Sequence, residues 1–456
     1  MSDNQKEIVK ALLLSFKITT CDFEEIRGAT VTLYKFHPQI GVRISKIRNL
    51  KDEIATALRV PAVRIIAPME DGSVGIEVPN KEREILQVAD ILNTWEYQNT
   101  AMQLPLAIGR TVTNKIFMAD LAETPHLLVA GATGQGKSVG LNVMLMSLLH
   151  KKTPSELQLV LIDPKKVELS LYSKIESSYL ATPVITEPDE AELKLNEICE
   201  LMDERYELLN SVGVRNIQEY NAISIVEKLP YLVVVIDEYG DLVMTSGKQM
   251  EHFICRIAQK ARAVGIHMII STQRPSATIV TGNIKANFPT RIAFRTTTGT
   301  DSRVILDQTG AEHLTGKGDM LFFAGAETTR VQCAYTSISD VMQLCDEISR
   351  KYADYKKTAP TEEKEPERTI ELTYPIFPLL RKAADIVAKQ NYITEDLLHC
   401  LMSKTLGEHF DYYQIWPLYQ QMKELGIIGD REWWQKGAPV LMHNKAQISR
   451  LIDKFS

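Results

Sequence analysis

Short, uninterrupted apolar runs alternate with longer amphipathic segments between residues 98 and 350. HLLVA, LQLVLID, YLVVVID and GIHMIIST are apolar at nearly every position, which is typical of parallel strands with both faces covered. TRIAFR and DMLFF are further strand candidates. The segments 189–211 and 248–264 carry apolar residues at helical spacing. Together they predict a three-layer α/β domain over 98–350.

Two other patterns flank this domain. Residues 1–20 predict a leader helix, and residues 21–97 a small α+β unit. In that unit ATVTLYKF, GVRISKI, AVRIIAP and SVGIEVP predict strands, and residues 51–58 predict a helix. It contains no catalytic constellation, which favours a packing or assembly role.

The C-terminal region begins with a polar, proline-containing stretch at 351–371, which predicts a flexible linker. Residues 372–456 predict a last small domain. TEDLLHCLMSK and IWPLYQQMKELG have helical patterns, and GIIG and APVLM could be the strands of a wing.

Composition narrows the functional classes. The chain has 456 residues, a net charge of −6 and a pI near 5.9. This acidity weakens a nucleic-acid interpretation without excluding it, because a few cations can line one channel. The sequence offers no apolar run of membrane-spanning length. Six scattered cysteines without a C-x-x-C pair favour a reducing, cytoplasmic setting over disulfides or structural zinc.

The strongest chemical signal follows HLLVA. A glycine-rich loop ends in Gly-Lys-Ser and leads into a helical pattern, the setting that a phosphate-binding loop requires. Its backbone N–H groups and the helix N-terminus would hold the phosphates of ATP. Lys137 would reach the β- and γ-phosphates, and Ser138 would hold Mg²⁺. The predicted binding residues are Gly131, Ala132, Thr133, Gly134, Gln135, Gly136, Lys137, Ser138 and Val139.

Acidic and polar residues follow the other strand candidates. YLVVVID ends in Asp237-Glu238, where Asp237 would hold Mg²⁺ through water and Glu238 would activate the attacking water. Gln273 follows GIHMIIST and could sense the γ-phosphate. Asp163-Pro164-Lys165 is open to two interpretations, a functional role or a helix cap followed by a solvated charge pair.

Several longer motifs occur along the chain in a defined order. They are GATGQGKSVGLNVML, LIDPKKVELSLY, ERYELLNSVGVRNIQEYN, PYLVVVIDEYGDL, IAQKARAVGIHMIISTQRPS, ITGNIKANFPTRIAF, DSRVILDQTGAEHLTGKGDMLF and RVQCAY. Together they resemble the FtsK/SpoIIIE family of double-stranded DNA translocases, and VGIEVPNKER resembles the family's α subdomain. The resemblance implies a RecA-like P-loop NTPase core that works as a ring hexamer around duplex DNA.

The resemblance also suggests residue roles. Arg262 is the candidate for the arginine that completes a neighbour's ATP site, with a surface salt bridge as the alternative. Arg274, Lys285 and Arg303 lie in stretches that face DNA in the family, where they would contact phosphates without reading bases. For each of these three, a structural salt bridge is the alternative.

Three departures from the family pattern stand out. Gly299 occupies a position where many members carry lysine. Members usually have transmembrane segments and a long linker before the motor, so a soluble variant or a shortened form is expected here. Residues 372–456 resemble the family's winged-helix γ domain only loosely. Tyr413, Gln414 and Pro417 replace polar and basic residues, and Trp416, Trp433 and Trp434 suggest an aromatic core or a protein-contact surface.

The sequence therefore predicts a cytoplasmic, hexameric ATPase that pumps double-stranded DNA. The alternative is a related ATPase of protein secretion or conjugative coupling, which the acidic charge and the altered C-terminal domain favour. An inactive nucleotide-binding scaffold would require a broken site, whereas Lys137, Ser138, Asp237 and Glu238 are all present.

Overall fold

The computed structural model of the chain forms two compact units, residues 1–357 and 358–456. It describes residues 2–69, 71–223, 228–325, 327–353, 355, 377–390, 392–393, 395–406, 418–419, 422–423, 427–428 and 438–439. None of the helices formed by these residues is both long and apolar enough to cross a membrane.

A small antiparallel sheet with adjoining helices begins the first unit. Its elements are α1 (Ser2–Ser15), β1 (Thr20–Arg27), β2 (Val31–Pro38), α2 (Ile44–Arg48), α3 (Lys51–Leu58), β3 (Arg64–Ile66) and β4 (Val74–Pro79). Two short helices follow, α4 (Val88–Leu92) and α5 (Trp95–Gln98), and their buried residues belong to the core of the larger central sheet. The strands pair in the order β1-β2-β4-β3. Residues of α1 and α3 share one apolar core with Tyr34, Phe36 and Ile76.

Two features of this sheet differ from the sequence prediction. GVRISKI, predicted as a strand, contains the short helix α2 instead. Ile47, Leu50 and Ile54 follow each other at helical spacing and are buried, so this segment packs with period 3.6. Strand β1 was missed because it is a largely exposed edge strand, TCDFEEIR, without a continuous apolar face.

A nine-stranded sheet forms the centre of the first unit. Its strands are β5 (Pro105–Thr111), β6 (Ile116–Asp120), β7 (His126–Ala130), β8 (Leu157–Ile162), β9 (Tyr231–Ile236), β10 (Ile266–Thr272), β11 (Thr290–Phe294), β12 (Asp319–Ala324) and β13 (Glu327–Cys333). The order is β6-β5-β13-β12-β11-β7-β10-β9-β8. The run β11-β7-β10-β9-β8 is parallel, and the other strands join antiparallel.

Helices cover both faces of this central sheet. They are α6 (Lys137–Lys151), α7 (Pro188–Val212), α8 (Ile217–Ala222), α9 (Tyr239–Ser246), α10 (Lys248–Lys260), α11 (Gly282–Asn287), α12 (Gly299–Leu306) and α13 (Ile338–Lys351), with 3-10 turns at Ser170–Ile175 and Ala311–His313. Along β9, Val233 and Val235 enter one apolar core while Val234 and Ile236 enter the other. Each parallel strand is therefore buried on both faces, and all six predicted central strands are confirmed.

A buried charge cluster joins the two sheets. Arg330 of β13 donates to Asp319 of β12 from Nε at 2.9 Å and from Nη2 at 2.6 Å. Its Nη1 donates to Oε2 of Glu77, in strand β4, at 2.6 Å. All three side chains are almost completely buried. Charged groups are rarely buried unless paired, so these bonds fasten the small sheet to the central one.

The second unit contains α14 (Phe377–Val387), β14 (Tyr392–Ile393), α15 (Glu395–Leu406) and β15 (Ala438–Pro439), and the two short strands pair antiparallel. Ala384, Val387, Leu398 and Met402 contribute to its core. The predicted helix TEDLLHCLMSK is confirmed as α15. Most of the predicted linker 351–371, most of IWPLYQQMKELG, and the tryptophans at 416, 433 and 434 lie outside the described residues.

Candidate active site

A glycine-rich loop connects strand β7 to helix α6 at the carboxyl edge of the central sheet, as predicted. Gly134 and Gly136 have φ angles of +75° and +113°, which side chains other than glycine's rarely adopt. A Cβ on Gly131 would lie 2.6 Å from Cβ of Phe294, and one on Gly136 would lie 2.7 Å from the backbone nitrogen of Gly318. Both the curvature and the crowding of the loop therefore require glycine.

Lys137 begins α6 and points into the sheet edge. Its side chain is 3% exposed, and its ammonium forms an ion pair with Asp237, which follows β9. The ammonium also donates to Oγ of Ser271 in β10 at 2.9 Å, and that hydroxyl donates to Oδ1 of Asp237 at 2.6 Å. Side chains at the ends of β9 and β10 thus hold the Lys137 ammonium beside the glycine-rich loop. Ser271 was not among the residues predicted from the sequence, although a polar residue near the end of an apolar strand is a usable signal.

The second carboxylate oxygen of Asp237 fits a role in cation binding. Oδ2 is buried and has no hydrogen-bond partner among the described residues. Buried polar atoms are usually paired, so this orphaned acceptor is suited to a magnesium ion or one of its waters. Ser138, the second residue of α6, is half-buried and supplies a hydroxyl at the first helical turn. The donor set is therefore the hard-oxygen type that Mg²⁺ prefers.

Glu238 is held between the two strands that flank β9. Its side chain has no exposed surface. Oε1 accepts from Oγ1 of Thr272 at 2.8 Å, and the backbone N–H of Gln273 donates to both carboxylate oxygens at 3.1 and 3.2 Å. Nζ of Lys165, beyond β8, lies 3.1 Å from Oε2. The backbone of Glu238 has φ 53° and ψ 58°, a left-handed conformation that is uncommon for glutamate.

Asp163 and Lys165 make different contacts in the structure. Asp163 is fully buried and caps the following turn, because its Oδ2 accepts from the backbone N–H groups of Val167, Glu168 and Leu169 at 3.0 Å. The Lys165 side chain is 38% exposed, and its ammonium contacts Glu238. Burial by itself would lower the pKa of Lys165, but the charges and hydrogen bonds of Glu238 and Asp241 raise it.

Gln273 contacts the phosphate-binding loop itself. Its Oε1 accepts from Oγ1 of Thr133 at 2.9 Å, while its backbone N–H donates to Glu238. One residue therefore links the loop to the carboxylate. Arg274 follows it and is exposed.

Arg262 lies away from this cluster. It precedes β10, whereas Gln273 follows it, so the seven-residue strand separates them. Its guanidinium is 57% exposed and lies 3.1 Å from Glu123. Arg262 therefore does not contribute to the loop site of its own chain.

The other two candidate cations, Lys285 and Arg303, lie near Asp307. Lys285 of α11 pairs with Oδ1 of Asp307 at 2.6 Å, and Arg291 pairs with Oδ2 at 2.6 Å. Arg303 is exposed on α12, and its carbonyl accepts the N–H of Asp307. Lys285 and Arg303 thus lie near the start of β11, while Arg274 lies beyond the end of β10.

Two family models match the chain. Residues 87–277 match the FtsK/SpoIIIE family, and residues 1–80 match the FtsK alpha domain. The curated relatives include DNA translocase FtsK of Treponema pallidum (strain Nichols), 44% identical over 354 residues, covering 74% of this chain and 44% of the relative. DNA translocase FtsK of Oceanobacillus iheyensis is 40% identical over 419 residues, covering 89% of this chain and 52% of the relative. The chain spans about half the length of the curated relatives it matches.

Solved structures resemble the chain as well. The pCW3 conjugation coupling protein TcpA, in a monomer form with ATPγS, has a TM-score of 0.55 and 26% identity, over 76% of this chain and 99% of that protein. EssC (ATPases 2 and 3) from Geobacillus thermodenitrificans has a TM-score of 0.51 and 19% identity, over 57% of this chain and 51% of that protein. These likenesses confirm the predicted α/β, RecA-like P-loop ATPase fold. With the two matched segments spanning more than half of its residues, the chain belongs to the FtsK/SpoIIIE family.

Proposed function

We propose that this chain is an ATP-driven motor that moves double-stranded DNA in the cytoplasm, assembled as a hexamer. The observation that carries the ATPase part is the buried Lys137–Asp237–Ser271 cluster beneath a glycine loop, with Oδ2 of Asp237 left without a partner. The DNA part rests on the relatives, which are named DNA translocases.

Each group in the cluster has one task in hydrolysis. The loop amides and Lys137 bind the β- and γ-phosphates, and Lys137 exchanges its bond to Asp237 for phosphate oxygens. Ser138 and Asp237 would hold Mg²⁺, which would neutralise charge on the phosphates. Glu238 accepts a proton as water attacks the γ-phosphorus and ADP leaves. Gln273 links the loop to Glu238 and would relay the loss of phosphate.

Completion of the site requires a second subunit. Arg262 is exposed at the opposite end of β10, so in a ring it would face the site of a neighbour and stabilise charge there. Arg274, Lys285 and Arg303 would contact DNA phosphates. Contacts of this type make binding sensitive to salt and tolerant of sequence.

The decisive experiment measures ATP hydrolysis with and without linear duplex DNA across a salt series. Lys137→Ala is the inactive blank, and Lys151→Ala, at the other end of the same helix, is the matched control. We expect strong stimulation by duplex that fades as salt rises, with Lys151→Ala unchanged. Hydrolysis that is indifferent to DNA would refute the DNA motor. It would favour the secretion or coupling ATPase, to which the likeness to the coupling protein TcpA already points.

A further inference from the structure

The loop that follows β8 contains Lys165, and hydrogen bonds within the loop fix its backbone position. The Asp163 carboxylate accepts N–H groups from Lys165, Val167, Glu168 and Leu169, at 3.1 Å for Lys165 and 3.0 Å for the others. This fixes the backbone from which the Lys165 side chain extends. Strands β8 and β9 are parallel neighbours, so their carboxyl ends meet, and Nζ of Lys165 reaches Oε2 of Glu238.

The groups that contact the Glu238 carboxylate differ in charge. Thr272 and the N–H of Gln273 are neutral donors, which orient the carboxylate without balancing its charge. Among the described residues, Lys165 is the cation within ion-pair distance. Glu238 has no exposed surface, and charged side chains are rarely buried unless they are paired. Lys165 supplies this paired charge and holds Oε2 of the carboxylate at 3.1 Å.

We propose that Lys165 is a positioning residue: its ammonium holds Oε2 of Glu238 and keeps this carboxylate oriented toward the attacking water. This inference rests on the proposed ATPase function. Lys165 acts through Glu238 and does not bind the nucleotide. Its side chain is 38% exposed and also lies 3.5 Å from Asp241, which places the ammonium between two carboxylates.

The test compares variants of the full chain in DNA-stimulated ATP hydrolysis, with binding of a fluorescent ATP analogue measured separately. Lys165→Ala removes the ammonium and Lys165→Arg retains the charge. Lys166→Ala is the matched control, because the adjacent Lys166 pairs with exposed Glu187 at 2.7 Å. Glu238→Gln and the double variant Glu238→Gln/Lys165→Ala complete a cycle.

For Lys165→Ala we expect kcat to fall roughly tenfold or more, since a general base contributes about 10²–10⁴-fold. KM and analogue binding should stay within about twofold, because ground-state binding is untouched. Lys165→Arg should recover part of the rate, and Lys166→Ala should match the wild type. The double variant should be no slower than Glu238→Gln, because both changes remove the same step.

The outcomes distinguish a failure of the Lys165 proposal from a failure of the proposed ATPase function. If the wild type hydrolyses ATP and Glu238→Gln does not, but Lys165→Ala keeps the wild-type kcat, the role of Lys165 is refuted alone. Additive losses in the double variant, or a loss of analogue binding in Lys165→Ala, would also overturn it. If Glu238→Gln hydrolyses ATP normally, the proposed role of Glu238 itself fails.

Discussion

Replacement of Arg330 by methionine tests how the two sheets are held together. Methionine retains an unbranched side chain and removes the guanidinium. Glu77 is then left buried, with Arg64 at 3.5 Å as its remaining ion-pair partner. Asp319 keeps its bonds from Thr315 but loses both bonds from Arg330.

The expected loss of unfolding free energy follows from burial. All of the carboxylates and the guanidinium in this cluster are at most 3% exposed. Removal of one partner from such a buried pair costs about 3–5 kcal/mol, because a charge is left uncompensated. The exposed pair of Arg256 and Asp203 has the same 2.6 Å separation, but its side chains are 38% and 50% exposed. Its loss should cost no more than about 1 kcal/mol.

Urea unfolding of the full chain, followed by circular dichroism, compares Arg330→Met with Arg256→Met. The double variant Glu77→Gln/Arg330→Met should recover part of the loss, because position 77 then carries no buried charge that only the more distant Arg64 would balance. Equal stability of Arg330→Met and Arg256→Met would refute the reasoning. So would a double variant that is less stable than Arg330→Met.

Low pH should reduce the contribution of the Glu77–Arg330–Asp319 cluster to folding stability. Burial by itself would raise the pKa of Asp319, but the charge and hydrogen bonds of Arg330 lower it below the ordinary value of 3.8. A lowered folded-state pKa stabilises the protein above the unfolded value, and this contribution is lost as pH falls through the folded value. Urea midpoints measured from about pH 5 downward should therefore fall more steeply in the wild type than in Arg330→Met.

Three further predictions concern the proposed motor activity. Gly136→Ala should abolish binding of a fluorescent ATP analogue, because its φ of +113° and its crowded Cβ position exclude a side chain; Gly134→Ala, with open space, should lose less. Mixtures of inactive Arg262→Ala and Lys137→Ala chains should regain hydrolysis if the arginine acts on a neighbour, and no recovery would contradict this. Arg303→Ala should weaken duplex binding for all sequences and reduce its logarithmic salt slope by about one.

Local pattern was sufficient for the strands and the loop that the sequence predicted. A parallel strand covered on both faces must be apolar throughout, as YLVVVI is, and a loop that wraps phosphates must contain glycines next to a lysine. The same reasoning failed for GVRISKI, because a short apolar segment fits both periods until its packing partners are known. Strand β1 escaped because an exposed edge strand has little apolar signal.

Contacts between residues distant in the chain were decided by the tertiary structure. Lys165 and Glu238 are 73 positions apart, and only the order of β8 beside β9 shows that the lysine is an ion-pair partner. Arg330 and Glu77 are 253 positions apart and meet where the two sheets pack. The sequence by itself determined which chemical groups lie at strand ends, since that depends on neighbours along the chain. Which of those groups form ion pairs in the interior depends on strand order and on how the sheets pack, and no local sequence pattern encodes either.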